Sequence, residues 1–171
     1  MIYIILGVIV VIIFVVAIAS NESIALTKEK PKYQYKHKDF FISKAEHEFY
    51  NILVTTVGQE YRIFAQVHLP TIVDHKIKGQ NWSAALSHIN QKSVDFVLCD
   101  KAYLSPKLAI ELDDKSHERP ERKERDHDVE LILSQSGLPL LRIKNQYSYN
   151  PSELTKQIKE AINNHEDKQP S

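Results

Sequence analysis

Hydrophobic positions along this chain fall into three kinds of pattern. The first is an unbroken apolar run, Ile2 to Ala19, without a charged residue. About 18 residues at 1.5 Å rise reach roughly 27 Å, near the hydrocarbon thickness of a bilayer. The run is too long for one buried strand and predicts a transmembrane anchor over residues 1–20. Ala17-Ile18-Ala19 also fits a small-x-small cleavage site, so a cleaved signal peptide is the rival reading. No Lys or Arg precedes the run, whereas Lys28, Lys30, Lys32, Lys36 and Lys38 follow it. By the positive-inside tendency that flank stays in the cytoplasm. The expectation is a single-pass protein of the inner (cytoplasmic) membrane, with its domain inside and residues 21–39 as a basic linker near anionic lipid.

The second and third patterns are helical and alternating. Ser43 to Thr56 has helical spacing, with Ala45, Phe49, Ile52 and Leu53 on one face. Tyr61, Ile63, Ala65 and Val67 alternate with Arg62, Phe64, Gln66 and His68, which predicts a strand. Leu69 to Lys92 is a less regular insert with a short helix around Trp82, Leu86 and Ile89. Val94–Cys99 and Leu108–Asp113 are strands joined by a turn near Ser105-Pro106. Glu121–Ser136 is a helix, with Pro120 in its first turn and Gly137 as its C-terminal cap. Leu138–Lys144 is an apolar strand, and Asn150 or Ser152 opens a last helix with Leu154, Ile158 and Ile162 as its stripe. A helix between the last two strands makes a crossover, so the sheet is mixed and helices pack on it. These elements make one domain over 40–164, followed by a polar tail, 165–171.

Charge narrows the function classes. Lys plus Arg number 22 and Asp plus Glu number 22. That balance argues against a strongly basic, non-specific nucleic-acid binder, while leaving room for a local patch. Cys99 is the sole cysteine, so an intrachain disulfide and a zinc site of several thiolates are excluded. Its expected place is the core, and Trp82 is expected to anchor the insert.

The informative chemistry is acid inside apolar strands. Asp95 lies in Val94-Asp95-Phe96-Val97-Leu98, and Glu111 in Leu108-Ala109-Ile110-Glu111-Leu112. A carboxylate there is costly unless paired or bound to a metal. If the two strands form a hairpin, the acids can project from one face with Cβ atoms about 5 Å apart. Such a pair suits a hard cation such as Mg²⁺. Pairing with Arg125 or Arg142 is the plainer alternative. Asp113 shares a face with Glu111. Glu46 completes a capping box with Ser43, which accounts for it without a site role, and a place at the site is the alternative. His117 could orient a phosphate or move a proton. Asp126 leans toward the sheet, and Arg119, Arg122, Lys123 and Arg125 form either a solvated face or a phosphate contact.

Several of these stretches resemble a known family. They are Asn90-Gln91-Lys92-Ser93-Val94-Asp95-Phe96-Val97-Leu98-Cys99-Asp100, Leu108-Ala109-Ile110-Glu111-Leu112-Asp113-Asp114-Lys115-Ser116-His117, Arg125-Asp126, and Gly137-Leu138-Pro139-Leu140-Leu141-Arg142-Ile143. Together they resemble the bacterial domains of unknown function 2726, over about Phe41 to Ile162. That family is similar to the restriction-endonuclease-like PD-(D/E)xK superfamily, which implies a core of helix, three strands, helix and strand. The implied fold class is α/β, a restriction-endonuclease-like mixed sheet flanked by helices, behind one N-terminal transmembrane helix. The resemblance implies Asp95 and Glu111 as Mg²⁺ or Mn²⁺ ligands, with Glu46 joining them. The chain departs from the pattern at Asp113, where a Lys is expected; Lys115, Lys92 and Gln91 are the substitutes within reach.

The functional expectation is a membrane-tethered, divalent-metal-dependent nuclease. Asp95, Glu111, Asp113, Lys115, His117 and Glu46 would be catalytic, and Arg122, Arg125 and Lys92 would contact substrate phosphate. DNA or RNA would be the partner. The alternative is a non-catalytic nucleic-acid- or protein-binding module on the same fold.

Overall fold

The computed structural model describes residues 1–22, 33–113 and 120–166, with the backbone alone at residues 2, 4–6, 17–22, 120–124 and 166. The chain divides into two units, Met1–Asp39 and Phe40–Ser171.

In the first unit the apolar run is a helix, α1 (Ile2–Glu22). Among the described residues no helix is long and apolar enough to cross a membrane, which overturns the transmembrane helix expected over 1–20. The helix runs out through Ser20, Asn21 and Glu22, which are polar.

The second unit has the order α2 (Lys44–Val57), β1 (Arg62–His68), α3 (Leu69–Ile72), α4 (Trp82–Ile89), β2 (Ser93–Cys99), β3 (Pro106–Asp113), α5 (Pro120–Ser136), β4 (Leu140–Lys144) and α6 (Pro151–Glu166). Local chemistry sets the ends. Ser43 and Glu46 exchange the two bonds of a capping box at α2. Asn150, not Ser152, caps α6, its Oδ1 accepting from Ser152 N at 3.0 Å and Glu153 N at 3.4 Å. Gly137 ends α5 with φ of 74°, a conformation glycine adopts without a Cβ penalty.

The sheet order is β1-β2-β3-β4. β1–β2 and β2–β3 are antiparallel, and α5 crosses over to make β3–β4 parallel. The mixed α/β sheet expected from the element order is therefore present. On one face α2 and α6 bury Phe49, Leu53, Ile158 and Leu154 against Phe96, Leu98, Leu108 and Ile110. Phe49 sits 5.6 Å from the Phe96 ring and 5.0 Å from that of Tyr149. On the other face α5 sets Val129 and Leu133 against Val97, Cys99 and Ala109, with Leu69 and Ile89 of the insert alongside. Full burial of each such side chain is worth about 1.5–3 kcal/mol, so both faces hold the sheet.

Trp82 is half-exposed rather than a buried anchor of the insert. Its indole nitrogen donates to Ile77 O at 2.9 Å, so it ties the loop before α4 by a hydrogen bond.

Candidate functional site

Asp95 and Glu111 come together because β2 and β3 are antiparallel with Phe96 opposite Ile110. One further step would set Asp95 opposite Glu111, and there the backbone ladder stops. In its place the Asp95 carboxylate accepts the Leu112 N–H through Oδ2 at 2.9 Å. The two acids hydrogen-bond through their side chains. Burial, then the charge of Asp95, pushes Glu111 up to about 8, against the partial pull of Arg142. Burial also raises Asp95, opposed by the Leu112 N–H. At neutral pH Glu111 therefore keeps its proton and donates it to Asp95, as expected where two carboxylates share a half-buried place.

Opposite Asp95 on β1 stands Gln66, and here the sheet changes face. Ile63 and Ala65 pack on the α2/α6 layer, but Val67 packs on the α5 layer. Phe96 and Val94 on β2 are divided in the same way. Between these pairs the ladder joins Ala65 to Phe96 and Val67 to Val94, omitting Gln66 and Asp95. Gln66 takes a positive φ of 51°, unusual for a residue other than glycine. That twist aims its amide at two carboxylates: Nε2 donates to Glu46 Oε1 at 2.7 Å and to Asp95 Oδ1 at 3.3 Å. The single face expected for Tyr61, Ile63, Ala65 and Val67 is thus corrected, because the chain turns over at Gln66.

Glu46 serves both ends at once. Its Oε2 accepts the Ser43 backbone N–H and its Oε1 accepts Gln66. The capping role and the place beside Asp95 are compatible because a carboxylate has two oxygens.

The other side of the pair is built by β4 and α5. The parallel register sets Arg142 beside Glu111 and Lys144 beside Asp113. Arg142 Nη1 donates to Asp113 Oδ1 at 2.8 Å and lies 3.9 Å from Asp126 Oδ2 on α5. Asp113, Asp126 and Arg142 are all partly open to solvent.

The remaining expected residues lie apart from the pair or outside the described residues. Lys115 and His117 fall outside them, as does the Arg122 side chain. Arg125 is exposed on α5. The Lys92 ammonium donates to His88 O at 2.8 Å and lies 3.2 Å from Asp128 Oδ2. These partners tie the chain between α4 and β2 to α5. Cys99 is buried in the sheet, and burial raises its thiol.

Among the described residues no group of three or more His, Cys, Asp or Glu is disposed to hold a metal ion. The fit to Mg²⁺ or Mn²⁺ rests on two carboxyl groups, Asp95 and Glu111, in side-chain contact with each other. Two hard oxygen donors suit Mg²⁺, which commonly takes one or two carboxylates and completes its shell with water and phosphate.

Gln66 and Arg142 are the site residues that pattern reading does not single out for the site. Arg142 is foreseeable only as a charge partner, and Gln66 carries no signal in the alternation.

No curated protein and no solved structure gives a significant match to the chain. The family model described as "Protein of unknown function (DUF2726)" matches residues 38–162, which hold every described element of this site. The chain belongs to that family.

Proposed function

We propose that this chain is a divalent-metal-dependent nuclease of the PD-(D/E)xK type, hydrolysing phosphodiesters at the Asp95–Glu111 pair. The observation that carries the reading is the meeting of these two carboxyl groups where the β2–β3 ladder ends. Such a pair is electrostatically unfavourable in itself and suits a cation. A bound Mg²⁺ or Mn²⁺ would lower the pKa of an attacking water and neutralise charge growing on the phosphate. Asp95 and Glu111 would hold the ion. The Leu112 N–H and the Gln66 amide fix the Asp95 carboxylate at both oxygens, so its lone pairs are already oriented.

The test is cleavage of end-labelled single- and double-stranded DNA and RNA by the full chain, in Mg²⁺, Mn²⁺ or EDTA. Asp95→Asn and Glu111→Gln are run beside it. Cleavage that needs metal and is abolished in both variants supports the proposal. Cleavage retained by both folded variants sinks it.

One observation favours a second reading, a non-catalytic nucleic-acid-binding module. Asp113 stands where the resemblance expects a Lys, and it is engaged by Arg142. Binding of oligonucleotide without cleavage in any metal would select that reading.

A further inference from the structure

Around the Asp95–Glu111 pair the described side chains are mostly acids: Glu46, Asp113 and Asp126 add to the two. A phosphodiester carries a negative charge and is repelled by such a cluster unless a cation receives it. Among the described residues Arg142 is a cation that pairs with two of these acids and pulls on Glu111. It stands one strand from Glu111, in direct register. Neighbouring strands are about 4.8 Å apart, within reach of one phosphate held at the pair.

The way Arg142 is held matters as much as its charge. Its contacts to Asp113 at 2.8 Å and Asp126 at 3.9 Å both use Nη1. Neither uses the Nε–Nη2 edge, which has the parallel N–H geometry that binds phosphate in a bidentate way. The side chain is 29% exposed, so it is braced yet open to a ligand. A guanidinium held by one carboxylate and facing a second loses less freedom than an unheld one when it binds an anion.

We propose that Arg142 is a phosphate-binding residue of this site, held by Asp113 through Nη1 and presenting its other edge to a nucleic-acid phosphodiester. This inference rests on the nuclease reading. It adds a residue that neither the apolar-strand acids nor the basic stretch at the start of α5 contains.

The experiment is fluorescence anisotropy of the full chain with labelled single- and double-stranded oligonucleotides in Ca²⁺, across a salt series. Wild type is compared with Arg142→Met and Arg142→Lys, each checked for native circular dichroism. Arg142→Met is expected to weaken binding about tenfold or more. The slope of log affinity against log salt should shrink by about 0.9 for duplex, the share of a single neutralised phosphate. Arg142→Lys keeps the charge and should retain the slope while losing part of the affinity. The lysine variant also keeps a cation for Asp113, so it remains informative if the methionine variant does not fold. A folded Arg142→Met with wild-type affinity and slope overturns the role of Arg142 and leaves the nuclease reading standing. So does a lysine variant whose slope shrinks by a full unit. Wild type that neither binds nor cleaves any oligonucleotide overturns the nuclease reading and this inference with it.

Discussion

Gln66 and Asp95 occupy the same step of two antiparallel strands, yet they meet through side chains rather than backbone, the Gln66 amide lying 3.3 Å from Asp95 Oδ1. The interruption turns over both strands and leaves Gln66 at a φ of 51°. Strain of this kind in a non-glycine residue costs on the order of 1 kcal/mol and persists where surrounding contacts enforce it.

Two substitutions at Gln66 separate the strain from the amide. Gln66→Ala removes both hydrogen bonds and keeps the unfavourable backbone, so it should lose about 1–3 kcal/mol in urea unfolding. Gln66→Gly also removes the amide but relieves the strain. It should be about 1 kcal/mol more stable than the alanine variant, although glycine is ordinarily the poorer strand residue. Alanine equal to or better than glycine would mean that the positive φ carries no cost.

Glu111 gives a pH signature. Its pKa is raised to about 8 in the folded chain from an ordinary value of 4.5, so the folded state binds the extra proton between those limits. Stability from this group is fully present below pH 4.5 and is lost as pH rises through about 8. In EDTA, the unfolding free energy of wild type should fall across that window. Glu111→Gln imitates the protonated acid and should fall less, becoming the more stable protein at pH 8 by at least about 1 kcal/mol, since a tenfold change in proton affinity is worth about 1.4 kcal/mol. Parallel curves for the two proteins would refute the shared proton.

Much of this site is readable before folding, for a reason visible at each residue. Asp95 and Glu111 betray themselves because apolar neighbours on both sides force them into a buried strand. Glu46 is readable as a cap, because Ser43 lies three residues before it. Its contact with Gln66 depends on how α2 lies against β1, and local spacing does not fix that. Gln66 itself is misread: the alternation places it on the face of Phe64 and His68, and no glycine announces the turnover. Arg142 can be read as a charge partner of Glu111, but the parallel register that sets them side by side is fixed by the α5 crossover. The long apolar run invites a spanning helix by length and composition alone, and the described residues contain none.

Metal should replace the shared proton. At pH 8 the addition of Mg²⁺ or Mn²⁺ should raise the melting temperature of wild type. A concentration ten times Kd is worth about 1.4 kcal/mol by mass action. Asp95→Asn and Glu111→Gln should not respond in this way, each removing one of two charged donors. A shift of equal size in wild type and both variants would place the ion elsewhere.

Lys92 offers a control within the same domain. Its side chain is 14% exposed and its ammonium is engaged by Asp128 and the His88 carbonyl, which joins the end of α4 to α5 on the face that also buries Val129 and Leu133. Asp128 is held below the usual carboxylate range, first by its bond to Lys92. Lys92→Met should therefore act on stability, lowering it modestly through loss of a partly exposed pair and a backbone bond. Cleavage and oligonucleotide affinity should stay at wild-type levels once the fold is intact, in contrast to Arg142→Met. Urea unfolding and anisotropy on the same preparation read both quantities. Unchanged stability with weakened affinity would reverse the assignment, making Lys92 the phosphate contact and its bond to Asp128 incidental.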